Sequence, residues 1–263
     1  CNQTSRKLEF EVWHKRLGHA PISKLQMLPI DIVFPKRNHD MPCDICPKAK
    51  QQRLPFHLST ISTTAAFELI HIDTWGPYHT KTYSGHRFFL TIVDDYSRAT
   101  WTHLMVTKDE ALGLIKSFVK MAQTQFSSNV KIIRSNNALE LSTSNAALEF
   151  LRFYWNYASN LLCSNTTAEW CSGKVQSKLP IRFWGDCVLT ATYLINRIPT
   201  ALLYNKSPFE ILYGKEPSYE HLRVFGCLCF MSTHKQGRDK FHLRALPCIF
   251  LGYSYGKKAY KVM

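Results

Sequence analysis

The run from Glu68 to Arg134 constrains the fold most, because its apolar periodicity changes in a fixed order along one continuous stretch. Glu68-Leu69-Ile70-His71-Ile72-Asp73 alternates as a strand and stops at Thr74-Trp75-Gly76-Pro77, where Gly and Pro break a ladder. Asp73 is thereby placed at the carboxyl end of that strand. Arg87–Asp94 and Thr100–Val106 are two further β-rich runs, joined by Asp95-Tyr96-Ser97-Arg98 as a hairpin. From Lys108 to Gln125 the period lengthens: Leu112, Ile115, Val119 and Ala122 recur at three- and four-residue steps, with Asp109 and Glu110 suited to a helix N-terminus. Val130-Lys131-Ile132-Ile133-Arg134 returns to strand and ends at Ser135-Asn136-Asn137. The prediction is three antiparallel strands, a helix and a fourth strand whose end lies beside that of the first.

A second constraint sits upstream. Trp13-His14-Lys15-Arg16-Leu17-Gly18-His19 supplies two imidazoles, and Cys43-Asp44-Ile45-Cys46 supplies a thiolate pair. A His2Cys2 set saturates tetrahedral zinc and leaves no position for water, so the expected site, His14, His19, Cys43 and Cys46, is structural. It lets a segment too small for its own core fold around the metal. Either histidine alone would read as a surface residue, and the cysteine pair alone as a redox pair; together they read as ligands. His39 and His57 lack a partner at ligand spacing and are left out. Nine cysteines, an odd number, fit a reducing compartment better than a disulfide framework.

The charge is uneven. Residues 1–60 hold 10 Lys+Arg against 5 Asp+Glu, residues 61–174 hold 10 against 9, and residues 175–263 hold 13 against 5. A surplus confined to the flanks suits proteins that grip phosphate there and keep carboxylates for chemistry in the centre. The expected phosphate contacts are Lys48, Lys50 and Arg53 after the cysteine pair, and Lys257, Lys258 and Lys261 near the end. At 45% hydrophobic and 20% charged residues, wholesale disorder is excluded. The apolar runs are far shorter than the roughly 20 residues of a spanning helix, so no membrane partner is expected. The chain starts at Cys1 with no charged leader before an apolar core, which reads as a piece of a polyprotein that is not secreted.

Three antiparallel strands, a helix and a returning strand describe the ribonuclease-H-like core. With these residues in this order, the chain resembles the integrase region of copia-type retrotransposon polyproteins over nearly its whole length. The His14/His19/Cys43/Cys46 set resembles that family's zinc-binding leader. His71–Pro77 is similar to the strand bearing its first catalytic carboxylate, and Ile92–Arg98 to its second strand. Phe183-Trp184-Gly185-Asp186, Asn196-Arg197-Ile198-Pro199, Lys206–Glu210 and Phe250–Tyr253 resemble its later segments. The fold class implied is α/β (α+β): a ribonuclease-H-like mixed-sheet core with an N-terminal zinc-binding helical domain and a small C-terminal β-rich domain. The boundaries expected are 1–58, 59–200 and 201–263. The activity implied is polynucleotidyl transfer, with Mg²⁺ ions held by three carboxylates, Asp73 the first of them, aligning a DNA 3′-hydroxyl or water for in-line attack. Two divalent ions about 4 Å apart need anionic oxygen ligands to offset their repulsion.

The chain departs from the family at the other two acids. Asn136 stands at the second position, where an amide replaces the charge that anchors the bridging metal. Glu140 is no substitute, and Asp94 and Asp95, near Arg98, read as structural. The third acid, a glutamate after a Thr-Pro-Gln-Gln-Asn-Gly turn, is absent. Residues 154–174 carry no family pattern, yet permissible synonymous codons for them, read one base later, encode TGIMHQTCCAVTPQQNGVVER, which contains that turn and the glutamate. A frame shift restored near Val175-Gln176-Ser177 explains this, with the core disrupted about 151–176. Glu169, in the shifted stretch, precedes the expected position. The expectation is an integrase-type protein that retains zinc and DNA binding but has lost Mg-dependent strand transfer. The alternative is a non-enzymatic nucleic-acid-binding or structural module reused by its host.

Towards the C-terminus, Ile181–Ile198 has a helical apolar pattern and covers the core, and residues 222–263 alternate short β-rich runs with basic turns, as in a small barrel. Cys227 and Cys229 point to one face of a strand and read as packing. The resemblance implies DNA and a homo-oligomer as partners, and a cytoplasmic particle and the nucleus as locations.

Overall fold

The computed structural model describes residues 8–30, 32–34, 43, 63–135, 179–233, 243–254 and 259–263. The roles expected of Cys46, Lys48, Lys50, Arg53, Asn136, Glu140, Glu169, Lys257 and Lys258 therefore lie outside the described residues. A short β1 (Leu8–Glu9) leads into α1 (Phe10–Arg16), α2 (Ile22–Leu25) and β2 (Ile32–Val33), and β1 pairs in parallel with β2. The central sheet contains β3 (Leu69–Trp75), β4 (Phe88–Asp94), β5 (Thr100–Met105) and β6 (Ile132–Ser135), in the order β5-β4-β3-β6. β3 is antiparallel to β4 and parallel to β6. This is the strand order expected from the sequence, with α3 (Glu110–Phe126) as the crossover between β5 and β6.

The period-2 pattern sets the two faces of this sheet. Ile70, Ile72, Leu90, Ile92, Ile133 and Met105 are buried and form one core with Ala111, Ile115, Phe118, Val119 and Ala122 of α3. Phe118 meets Trp101 edge-on at 4.9 Å, a favoured aromatic geometry. The Glu110 carboxylate reaches back to the backbone N–H groups of Val106 and Thr107, both at 3.1 Å. These bonds pin the turn that leads from β5 into α3, and Glu110 places negative charge at the dipole's positive end.

The opposite face is covered by α4 (Trp184–Ile195), which follows a 3-10 turn at Ile181–Phe183. The Phe183-Trp184-Gly185-Asp186 segment is explained residue by residue. Phe183 is buried beside Tyr83, and Trp184 donates Nε1–H to the Thr80 carbonyl at 2.8 Å. A Cβ on Gly185 would sit 2.8 Å from Leu104 and Thr82, closer than carbon atoms approach. Asp186, 4% exposed, accepts from Lys261. At the far end of α4 the Asn196 amide pairs with the backbone of Thr100, accepting at 2.8 Å and donating at 2.7 Å, and so extends the β5 edge as a strand would.

After α5 (Pro208–Tyr213), capped by Ser207, the chain forms β7 (Leu228–Ser232), β8 (Ala245–Tyr253) and β9 (Tyr260–Val262) in an antiparallel sheet. Its register shifts between Phe250 and Gly252. Among the described residues it is a three-stranded sheet. Cys229 lies opposite Cys248 in the register, whereas Cys227 precedes the strand.

The N-terminal segment does not build its core alone. Phe10, Trp13, Leu17, Ala20, Leu25 and Leu28 share one buried cluster with Leu194 of α4 and with Tyr219 and Leu222. Local periodicity carries no information about such distant partners.

Candidate metal centre and the carboxylate strand

The metal cluster grows out of a helix ending. α1 closes with Gly18 at φ 61° and His19 at φ 63°, the left-handed conformation that glycine adopts without a Cβ penalty. The N–H of His19 bonds to the carbonyl of His14, and that of Gly18 to Lys15, which is the pairing of a Schellman motif. That motif sets His14 three positions inside the helix end and His19 two beyond it, so the two rings meet 4.8 Å apart, edge to face. The spacing in the sequence is thus the spacing of one capping turn.

Three donor atoms converge. His19 Nδ1 lies 3.1 Å from His14 Nε2 and 3.1 Å from Cys43 Sγ, and His14, His19 and Cys43 are all buried. His14 Nδ1 is 2.8 Å from the Ala20 carbonyl. A carbonyl only accepts, so Nδ1 carries the proton and Nε2 presents its lone pair to the cluster, the orientation that an outer hydrogen bond imposes on metal-binding histidines. Phe10 stacks on the His14 ring at 5.3 Å. Ligands about 2.0–2.3 Å from a tetrahedral zinc lie roughly 3.3–3.7 Å from one another. Two imidazoles and a thiol, all buried, have their donor atoms within 4.8 Å of one another and could hold a metal ion. Among the described residues this is the one group of three or more His, Cys, Asp or Glu side chains within ligand reach of one another.

The carboxylate strand is different. Asp73 is half-buried on β3 and faces Thr91 across the ladder to β4. β3 runs two residues past Asp73, because Thr74 and Trp75 still pair with Leu90 and Phe89; the strand's end was expected at Asp73. On the other side Ile72 pairs with Ser135, the last residue of β6, and Asn136 comes next in the sequence.

Asp94 and Asp95 serve the turn between β4 and β5. Asp94 pairs with Ile70, three residues before Asp73. Its fully buried carboxylate accepts from Phe67 N at 2.7 Å, Ser97 N at 2.8 Å and Ser97 Oγ at 2.6 Å. Burial pushes its pKa up against the pull of those three bonds. For Asp95 burial acts in the same direction, but a bond to His71, the Arg98 charge and a bond from Thr63 outweigh it and hold the carboxyl below its usual value.

Lys261, expected to touch phosphate, instead donates to Asp186 Oδ1 at 2.6 Å and stands 5.2 Å from the Tyr83 ring centroid. Burial alone would lower its pKa, and Asp186 raises it overall. The ammonium, on a side chain 42% exposed, supplies the counter-charge that the buried Asp186 needs; the pairing could not be read from residues 75 positions apart.

Comparison with known proteins places this architecture. The family model for the GAG-pre-integrase domain matches residues 1–51, and that for the retroviral polymerase SH3-like domain matches residues 227–263. The two matches bracket the central sheet. Over 99% of its length the chain is 32% identical to the retrovirus-related Pol polyprotein from transposon TNT 1-94 of Nicotiana tabacum, covering 21% of that protein. Over 97% it is 27% identical to the Pol polyprotein from transposon RE1 of Arabidopsis thaliana, covering 18%. The chain is thus similar over nearly its whole length to retrovirus-related Pol polyproteins of plant transposons, and its two ends match domains of retroelement polyproteins. It spans about a fifth of the length of the curated relatives it matches. A chain of the simian T-cell lymphotropic virus intasome in complex with PP2A regulatory subunit B56 gamma overlaps 77% of this chain and 80% of its own length, at 12% identity and TM-score 0.42.

Proposed function

We propose that the chain is a retrotransposon integrase region that binds zinc and DNA and has lost Mg²⁺-dependent strand transfer. Its parts are a zinc-binding leader (1–58), a ribonuclease-H-like core (59–200) and a basic β-rich C-terminal portion (201–263). The observation that carries this reading is the alignment with transposon Pol polyproteins over the whole chain combined with Asn136 where the second acid belongs. Zinc held by His14, His19, Cys43 and Cys46 supplies folding free energy and no chemistry, since four protein ligands leave no site for water. Asp73 alone does not fit a pair of Mg²⁺ ions, because a neutral amide at Asn136 leaves their repulsion uncompensated. No catalytic step is therefore assigned to this chain.

The lengths support a lost segment. An alignment 276 positions long over a 263-residue chain requires at least 13 positions at which this chain has no residue. A deletion closing the frame shift across residues 154–174 accounts for them. DNA is the proposed partner, contacted by Lys48, Lys50, Arg53, Lys257 and Lys258, with self-association as in an integrase complex, and the proposed locations are a cytoplasmic particle and the nucleus. Among the described residues no helix is long and apolar enough to cross a membrane. Incubating the protein with a labelled donor DNA end and Mg²⁺ or Mn²⁺ tests the reading: no joined product is expected. Joining that disappears on Asp73→Ala would overturn it.

A further inference from the structure

The C-terminal sheet holds two cysteines directly across a ladder. In the antiparallel register of β7 and β8, Cys229 is the partner of Cys248. Bonds from the Phe250 N–H to the Cys227 carbonyl at 2.9 Å and from the Thr233 N–H to the Arg244 carbonyl at 3.1 Å hold that register beyond both ends of β7. Residues directly opposite one another on such a ladder have Cα atoms roughly 4.5–5.5 Å apart, inside the roughly 4.4–6.8 Å that a disulfide spans. Their side chains leave the sheet on the same face. Both residues are free thiols, and Cys229 Sγ reaches across the ladder to 3.3 Å from the Cys248 carbonyl. Cys248 Sγ is turned to the Leu246 carbonyl at 3.5 Å, so bringing the sulfurs together takes a rotamer change. Cys227, by contrast, lies across from Phe250.

The same face carries Met231 and Leu246, which oppose one another and are 47% and 41% exposed, so a small oxidant can approach it. Cys229 is half-buried and Cys248 only 8% exposed, which makes Cys229 the sulfur that meets the oxidant first. Burial, and after it Cys227 and Cys248, hold the Cys229 thiol above its ordinary value; at neutral pH it rests as a thiol. We propose that Cys229 and Cys248 are a reversible oxidation site, closed by a peroxide into a cross-strand disulfide. The peroxide converts the Cys229 thiol to a sulfenic acid and releases one water. The Cys248 sulfur then attacks the sulfenic sulfur, the S–O bond breaks, and the hydroxyl leaves with the Cys248 proton as a second water. The two sulfurs together give up two electrons, which the O–O bond of the peroxide takes as it breaks. Among the described residues β7 hydrogen-bonds within its sheet to β8 alone. A covalent tie between residues 19 positions apart therefore fastens a sheet edge that is otherwise joined to its neighbour by backbone bonds. This site is separate from the metal and DNA readings above and does not depend on them.

The test takes the full chain, reduced and then exposed to hydrogen peroxide, alkylates the remaining thiols and maps cross-linked peptides by mass spectrometry without reductant. The expected product is a Cys229–Cys248 pair lighter by two hydrogens, reversed by dithiothreitol, formed equally in Cys227→Ser and absent from Cys229→Ser. Hydrogen exchange on the oxidised wild type should show the β7 amides protected about a hundredfold more than in the reduced protein, the gain that closing a loop of this length implies. The mapping and the exchange are both read on the wild type, so a variant that loosens the sheet leaves the test intact. A wild type whose Cys229 and Cys248 are both alkylated after peroxide overturns the proposal. So does one in which Cys229 is joined to Cys227 or has gone on to a sulfinic acid. A Cys229–Cys248 bond that leaves β7 exchange unchanged overturns its role as a tie on the sheet edge.

Discussion

The His14/His19/Cys43 cluster and the strand bearing Asp73 are the two places where the resemblance implies metal, and they are built differently. The first is assembled by a local turn: one Schellman motif brings the two imidazoles together, and an outer hydrogen bond sets the tautomer. The second requires acids from separate segments to meet at the end of a sheet, and the chain supplies an amide at the second of them. Two of the first site's ligands are fixed within six residues, and Cys43 comes from one further segment. A site assembled from three distant segments fails when any one of them is lost, although the sheet that would carry it still forms.

The largest effect should come from the first site. Zinc bound to structural ligands contributes on the order of 10 kcal/mol to folding, so chelation, or Cys43→Ser, should open the cluster around Trp13 and red-shift its fluorescence. An unchanged spectrum after chelation would break the contrast. Next, Asp94→Ala removes the acceptor for three buried bonds and should cost roughly 3 kcal/mol in urea unfolding, whereas Asp73→Ala should stay within about 1 kcal/mol. Equal losses would mean that Asp73, too, is structural. Acid should have a smaller effect. Burial lowers the pKa of His103, so the unfolded chain binds the proton first. The stability this histidine contributes is fully present above its ordinary value near 6.5 and is lost as pH falls through its folded value. The stability difference between wild type and His103→Gln should therefore shift in favour of the variant between pH 7 and 5. The smallest effect should be that of Asn136→Asp: tighter Mn²⁺ binding by electron paramagnetic resonance, with still no joining of DNA ends, since the third acid is missing.

Much of this was legible in the sequence where neighbours decide structure. The alternation of Ile70, Ile72, Leu90 and Ile92 and the helical steps of α3 gave the central sheet and its crossover, because burial on one face imposes those periods. β3 overran its predicted end because Leu90 and Phe89 continue the ladder past Asp73, a cross-strand effect invisible from within the strand. The ligand pair His14 and His19 was legible as a spacing, though not as a capping turn. Contacts across the chain were not legible at all. Asp186 with Lys261, Asn196 with Thr100, and α1 with Leu194 and Leu222 are pairings that no local period encodes.

The cluster uniting α1 with Leu222 has a bearing on synthesis. A ribosome releases Phe10 and Trp13 well before their packing partners Leu194, Tyr219 and Leu222. Until those emerge the two side chains wait in water or against a chaperone, and the neighbouring cysteine- and histidine-bearing segments are what can hold this part of the chain in shape while the partners are still being translated.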